Sequence, residues 1–172
     1  MSMNDCARTD PPFDGGEKAS LLGFLNYQRD TLLCKLSGLD NEQLRRPHVP
    51  SGLTLLGIVK HLSEVEREWF REVVGGEDLS HLRDRNDPQR YWRIEPDDTT
   101  ESIISGYREE IARSDALILP DDVDLDALVT EVHPRDQGMP IRWVVMHMVE
   151  ETARHLGHAD LIREEIDGAT GE

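Results

Sequence analysis

Four stretches of the chain repeat apolar residues at helical spacing, separated by polar connections that carry proline and glycine. The first covers about 17–37, with Leu21, Leu22, Leu25, Leu32 and Leu36 on one face and Gly38 as a stop. The second covers about 54–74, capped by Ser51 or Thr54. Leu55, Ile58, Val59, Leu62, Val65, Trp69 and Val73 form its buried stripe, and Gly75-Gly76 ends it. A third starts among Asp97, Asp98, Thr99 and Thr100, turns Ile103, Ile104, Tyr107, Ile111 and Leu117 or Ile118 inward, and stops at Pro120. The fourth opens at Pro140, reaches about Asp167 and is followed by Gly168. Between them lie 40–51, with two prolines, the long polar connection 77–98, and an acidic connection 121–138. Within the last, residues 129–132 read as a short extended piece. Strand signals are otherwise sparse. The pattern predicts an all-α fold, a four-helix bundle over 17–172 behind a flexible leader, 1–16, that contains Pro11, Pro12, Gly15 and Gly16.

The fourth helix breaks its own pattern. His147, Glu151, His155 and His158 follow one another at steps of four, four and three, which stacks them along one stripe. Trp143 and Ile162 extend that stripe at both ends, so it is expected to face the interior. Burying a carboxylate and three imidazoles costs several kcal/mol unless they are paired or bound. A metal ion satisfies them, and Glu151 and His155, one turn apart, can grip the same ion. A third ligand must come from a facing helix, and His61 is the best placed, flanked by Ile58 and Val65 on the second stripe. His48, His81 and His133 sit in connections and fit less well. Three such ligands leave a tetrahedral ion one open position, as catalytic sites do. Zinc suits the set best; nickel, iron or manganese would also be accepted. His147 and His158 are expected beside the ligands as second-layer partners or pocket walls. Trp69 and Trp143 are expected in the core. Arg67, Glu68, Arg71 and Glu72 are expected on a solvated face.

Composition narrows the partners. Thirty-five acidic residues against nineteen basic give a net charge of −16 over 172 residues. Such a surface repels nucleic acid and anionic membranes, so neither is an expected partner. No apolar run is long enough to cross a bilayer, and no signal peptide is legible. Cys6 and Cys34 form no Cys-x-x-Cys motif and suggest no disulfide framework. Cys34 reads as a small core residue, and a reducing cytoplasm fits.

Two stretches resemble a known family. Thr54-Leu-Leu-Gly-Ile-Val-Lys-His-Leu-Ser-Glu-Val-Glu-Arg-Glu-Trp-Phe is similar to the second helix of the DinB superfamily. The last-helix stretch from His147 to Gly168 resembles its mini-circle-protein branch. The superfamily carries one metal-binding histidine on the second helix and two, four residues apart, on the last. By position these fall on His61, Glu151 and His155. The glutamate departs from the commonest pattern and resembles the mycothiol-dependent maleylpyruvate isomerase relatives. Those relatives have a further C-terminal domain, whereas this sequence ends shortly after its last helix, so maleylpyruvate isomerisation itself is not expected.

The resemblance implies a zinc-dependent thiol S-transferase. A low-molecular-weight thiol such as mycothiol would lose its proton at the open metal position and attack a small electrophile, as in detoxification. His158 or His147 would relay the proton. Arg154, Tyr91 and Trp92 would shape the pocket mouth that holds the thiol. A hydrolase that activates water at the same ion and a non-enzymatic metal-binding stress protein are the alternatives. Exposed bundle faces leave room for a homodimer.

Overall fold

A computed structural model describes residues 6–79, 87, 89–130 and 133–170. Among the described residues the regular structure is helical: α1 (Glu17–Leu36), α2 (Asn41–Arg45), α3 (Leu55–Glu66), α4 (Thr100–Ile118) and α5 (Ile141–Asp167). α3 continues without a break as a π-helical segment, Arg67–Val74. A one-turn 3-10 helix, Pro134–Asp136, precedes α5. α1 packs mainly along α5 and α3 along α4, while α3 also meets α5 and closes the bundle. No helix among the described residues is long and apolar enough to cross a membrane.

The boundaries follow local chemistry. Thr54 accepts from the Gly57 amide and Thr99 from the Ser102 amide, each satisfying an orphan donor of a first turn. Gly168 ends α5 in the left-handed conformation, at φ 73°, where a side chain would be strained. The unexpected α2 lies inside the predicted connection 40–51. Asp40 and Gln43 form a reciprocal capping box that supports its single turn. The extended piece appears as one isolated antiparallel bridge, Leu128 to Pro140, beside Val129 N–H donating to Met139 O. Residues 131–132 of that piece, and 80–86 and 88 of the expected long connection, His81 included, lie outside the described residues.

Two apolar clusters share the interior. One gathers Leu32, Leu55, Ile58, Leu62, Tyr107 and Ile162; the other gathers Leu25, Phe70, Val73, Ile118, Val144 and Met148. Between α1 and α3, Arg29 forms a two-pronged ion pair with Glu66, with both side chains almost wholly buried.

Three expectations need correction. Cys6 and Cys34 are joined by a disulfide with Cα atoms 5.6 Å apart, although they are 28 positions apart in sequence. Cys34 is buried as expected, but as half of a bridge. Sequence spacing hid it because the segment before α1 doubles back along that helix: Arg8 lies over the Tyr27 ring, and Pro12 lies against Gly23. The bridge also removes the reason the cysteines offered for a reducing compartment. Trp143 is 45% exposed rather than core, touching Trp69 and stacking on His147 with the rest of its ring open to solvent. Glu72 is buried to 1% exposure, not solvated. Glu72 follows Trp69 by three positions and Val65 by seven, at the edge of the buried stripe, and turns inward there with Phe70 and Val73 despite its charge.

Candidate metal centre

α3 and α5 face each other so that His61 meets Glu151 and His155. His61 Nε2 lies 3.2 Å from Glu151 Oε1, and His155 Nε2 lies 3.1 Å from the same oxygen. Among the described residues these three form a group able to hold a metal ion, with ligand atoms all within 4.8 Å of one another. The edges of a tetrahedron with arms of about 2.0–2.1 Å are about 3.3 Å long. The two nitrogen-to-carboxylate separations match such an edge, so the donor set, two imidazole nitrogens and one carboxylate oxygen, suits a small divalent ion.

The electrostatics agree. Burial pushes His61 down to about 4, and neighbouring His155 adds to this against the pull of Glu151. Burial likewise holds His155 below its ordinary value. For Glu151, burial opposes ionisation, but the hydrogen bond from His61 and the nearby His155 outweigh it and the carboxyl is held below its usual range. At neutral pH the trio thus consists of two uncharged imidazoles and one carboxylate, the protonation state a divalent cation requires.

Around the trio the expected residues separate. His158 Nδ1 lies 3.3 Å from His155 Nδ1, so it touches a ligand candidate directly. His147 sits one turn away between two indoles, stacked on Trp143 and edge-on to Trp69. Trp92 lies face to face on the His61 ring at 3.7 Å between centroids. Tyr91 points elsewhere, into a small separate cavity of about 160 Å³ with Lys60 and Arg67. Arg154 is 60% exposed and pairs with Glu150. The structure therefore brings His158 and Trp92 to the trio and sets Tyr91 and Arg154 aside from it. His48 lies near Glu165 and His133 near Glu72, each away from the centre.

A cavity of about 480 Å³ opens beside the trio. His155 and His158 supply its α5 side, Trp92 with Gln89 and Arg93 supply one wall, and Ser51, Gly52 and Leu53 supply the other. Sequence periodicity could not find Gln89, Arg93 or residues 51–53, because they lie in connections. The only sequence cue was the aromatic pair Tyr91-Trp92 inside a polar stretch. Among the described residues no acidic side chain lines the cavity, although the chain is strongly acidic.

A small-molecule-sized cavity that reaches a His/Glu/His group through His155 is the arrangement expected of a site where a ligand reaches a metal. No curated protein matches the chain. The family model described as mycothiol-S-transferase matches residues 20–168, and the chain belongs to this DinB-like family.

Proposed function

We propose that the protein is a metal-dependent thiol S-transferase that joins a low-molecular-weight thiol, mycothiol by its family, to a small electrophile. The observation that carries this reading is the His61, Glu151 and His155 group, whose His155 lines the cavity walled by Trp92. Zinc is the ion its donor set suits best, with nickel, iron or manganese as alternatives. Bound there, a divalent ion would lower the pKa of a thiol reaching its open position and so supply a nucleophile at neutral pH.

The chain's own groups have separable tasks. His61 and His155 offer neutral nitrogens because burial keeps them unprotonated. Glu151 supplies the single negative charge of the ligand set. With Nε2 of His155 used as a ligand, the ring's proton resides on Nδ1 and donates to His158 Nδ1. His158 then carries its own proton on Nε2 and acts as a donor at the cavity wall rather than as a base. The thiol proton leaves through the open cavity to solvent, and His147, held between Trp69 and Trp143 one turn away, is not placed to relay it. The cavity brings sulfur and electrophilic carbon together: a carbon–sulfur bond forms, and the electrophile's leaving group departs with the displaced electron pair. Conjugation of this kind serves detoxification.

The test is metal content and turnover measured on the same preparation. About one divalent ion per chain, lost in His61→Ala and Glu151→Ala, together with conjugation of a model electrophile that requires added mycothiol, is the expected result. Thiol-independent hydrolysis of the substrate would favour activation of water at the same centre. A protein that takes up no ion and conjugates nothing would overturn the proposal.

A further inference from the structure

His61 and His155 are oriented by different means. His155 has a ring partner for its second nitrogen in His158. His61 Nδ1 is buried and has no hydrogen-bond partner among the described residues. A metal-binding imidazole is ordinarily fixed by a hydrogen bond from its other nitrogen. At His61 that place is taken by a ring stack: the Trp92 indole lies 3.7 Å away and only 13° from parallel.

The indole is held there by backbone. Residues 89–95 run against α3, and a Cβ placed on Gly57 would lie 2.6 Å from the Trp92 carbonyl oxygen and 3.0 Å from Thr54 Oγ1. The first of these atoms is main chain and cannot swing away, so only glycine at position 57 admits the loop at this distance. One turn along the same helix, Lys60 Nζ donates to Arg93 O at 2.9 Å and pairs with Asp98 at 2.6 Å. Trp92 N–H donates to Gln89 O and closes the turn that carries the indole. The same indole meets His155 edge-on at 5.1 Å and forms part of the cavity wall.

We propose that Trp92 is a positioning residue for the ligand His61, seated by Gly57, and that through it the cavity wall and the metal centre form one mechanical unit. The inference rests on the metal-site reading above. Loss of the stack frees the His61 ring to rotate about its side-chain bonds, which weakens ion binding and changes the ligand field without removing any ligand. Outer contacts of ligating imidazoles typically contribute 10- to 100-fold in metal affinity.

The test uses the full chain, stripped of metal and titrated with Co2+ while its visible absorption is recorded. Trp92→Ala is expected to bind Co2+ at least about tenfold more weakly and with an altered absorption spectrum. Trp92→Phe, which keeps an aromatic face, is expected to stay within about threefold of wild type, well short of a full outer-contact loss. Gly57→Ala is expected to follow Trp92→Ala, and the double variant to be no weaker than Trp92→Ala alone, because both changes remove the same contact. Wild-type affinity and spectrum in Trp92→Ala would overturn the inference. Should that variant not fold, wild-type behaviour of Gly57→Ala would overturn it equally. Wild-type protein that takes up neither Co2+ nor Zn2+ would overturn the metal-site reading itself, and this inference with it.

Discussion

Arg29 and Glu66 meet across the bundle through two parallel hydrogen bonds of 2.7 Å, with side chains 2% and 1% exposed. Asp115 and Asn26 accept from the same guanidinium at 2.9 and 2.8 Å, and the Phe70 ring covers it. Glu66 is the last residue of α3 before the π-helical winding begins, so the pair ties α1 to the start of that segment.

Removing the Glu66 charge leaves the buried Arg29 with only the half-buried Asp115 as an anionic partner. Glu66→Gln is expected to destabilise the protein by about 3–5 kcal/mol, the range for breaking a buried ion pair from one side. Replacing both partners with apolar residues, as in Arg29→Met with Glu66→Leu, is expected to cost far less. Urea unfolding of the two variants separates these outcomes, and equal loss in both would show that packing rather than charge is at stake.

The disulfide carries its own expectation. Bridging positions 28 apart removes conformational freedom from the unfolded chain. Cys6→Ser is therefore expected to cost about 3 kcal/mol, and reductant is expected to lower wild-type stability while leaving Cys6→Ser unchanged. A thiol titration of protein unfolded without reductant gives the direct check: two reactive thiols per chain would mean the bridge does not form.

Acid should weaken the metal-free protein before any carboxylate titrates in bulk. His61 is pushed down to about 4 from an ordinary 6.5, and His155 is shifted in the same direction. Between these limits the unfolded chain binds more protons than the folded one, so stability rises with pH across the window and is lost as pH falls. Glu151, held below its ordinary range, adds loss of the same sign at lower pH. The urea midpoint is expected to drop from pH 7 to pH 5 and to drop less in His61→Gln. An unchanged midpoint in wild type would show that the trio does not titrate as its burial demands.

His158 is expected to matter through His155. His158→Ala should weaken metal binding about 10- to 100-fold, with His158→Gln recovering part of the loss because it restores an acceptor. Metal titration of the stripped protein decides it, and wild-type affinity in His158→Ala would remove that residue from the centre.

The long elements and the trio were legible because both are written in helical periodicity. Leu55, Ile58 and Leu62 mark the buried face of α3, and the same spacing places His61 where Glu151 and His155 can meet it. What periodicity missed depends on other physics. A single-turn helix such as α2 has too few residues to show a repeat and is signalled only by its cap, Asp40 with Gln43. Glu72 lies three positions after Trp69, at the edge of the buried stripe, but its charge points to solvent and so hides that placement. The Cys6–Cys34 bridge and the Trp92 stack on His61 join segments far apart in sequence through connections that carry no periodic signal.

The cavity beside the centre has a divided ancestry. Its reactive side comes from α5, whose His155 and His158 are fixed by the bundle, whereas its other surfaces come from residues 51–53 and 89–93, which belong to connections. Connecting segments tolerate substitution and insertion more readily than the helices they join. Substrate preference can therefore drift with changes at Ser51, Leu53, Gln89 or Arg93 while the ligand helices stay as they are. In that sense the bundle would keep the chemistry proposed for the centre, and its loops would choose what undergoes it.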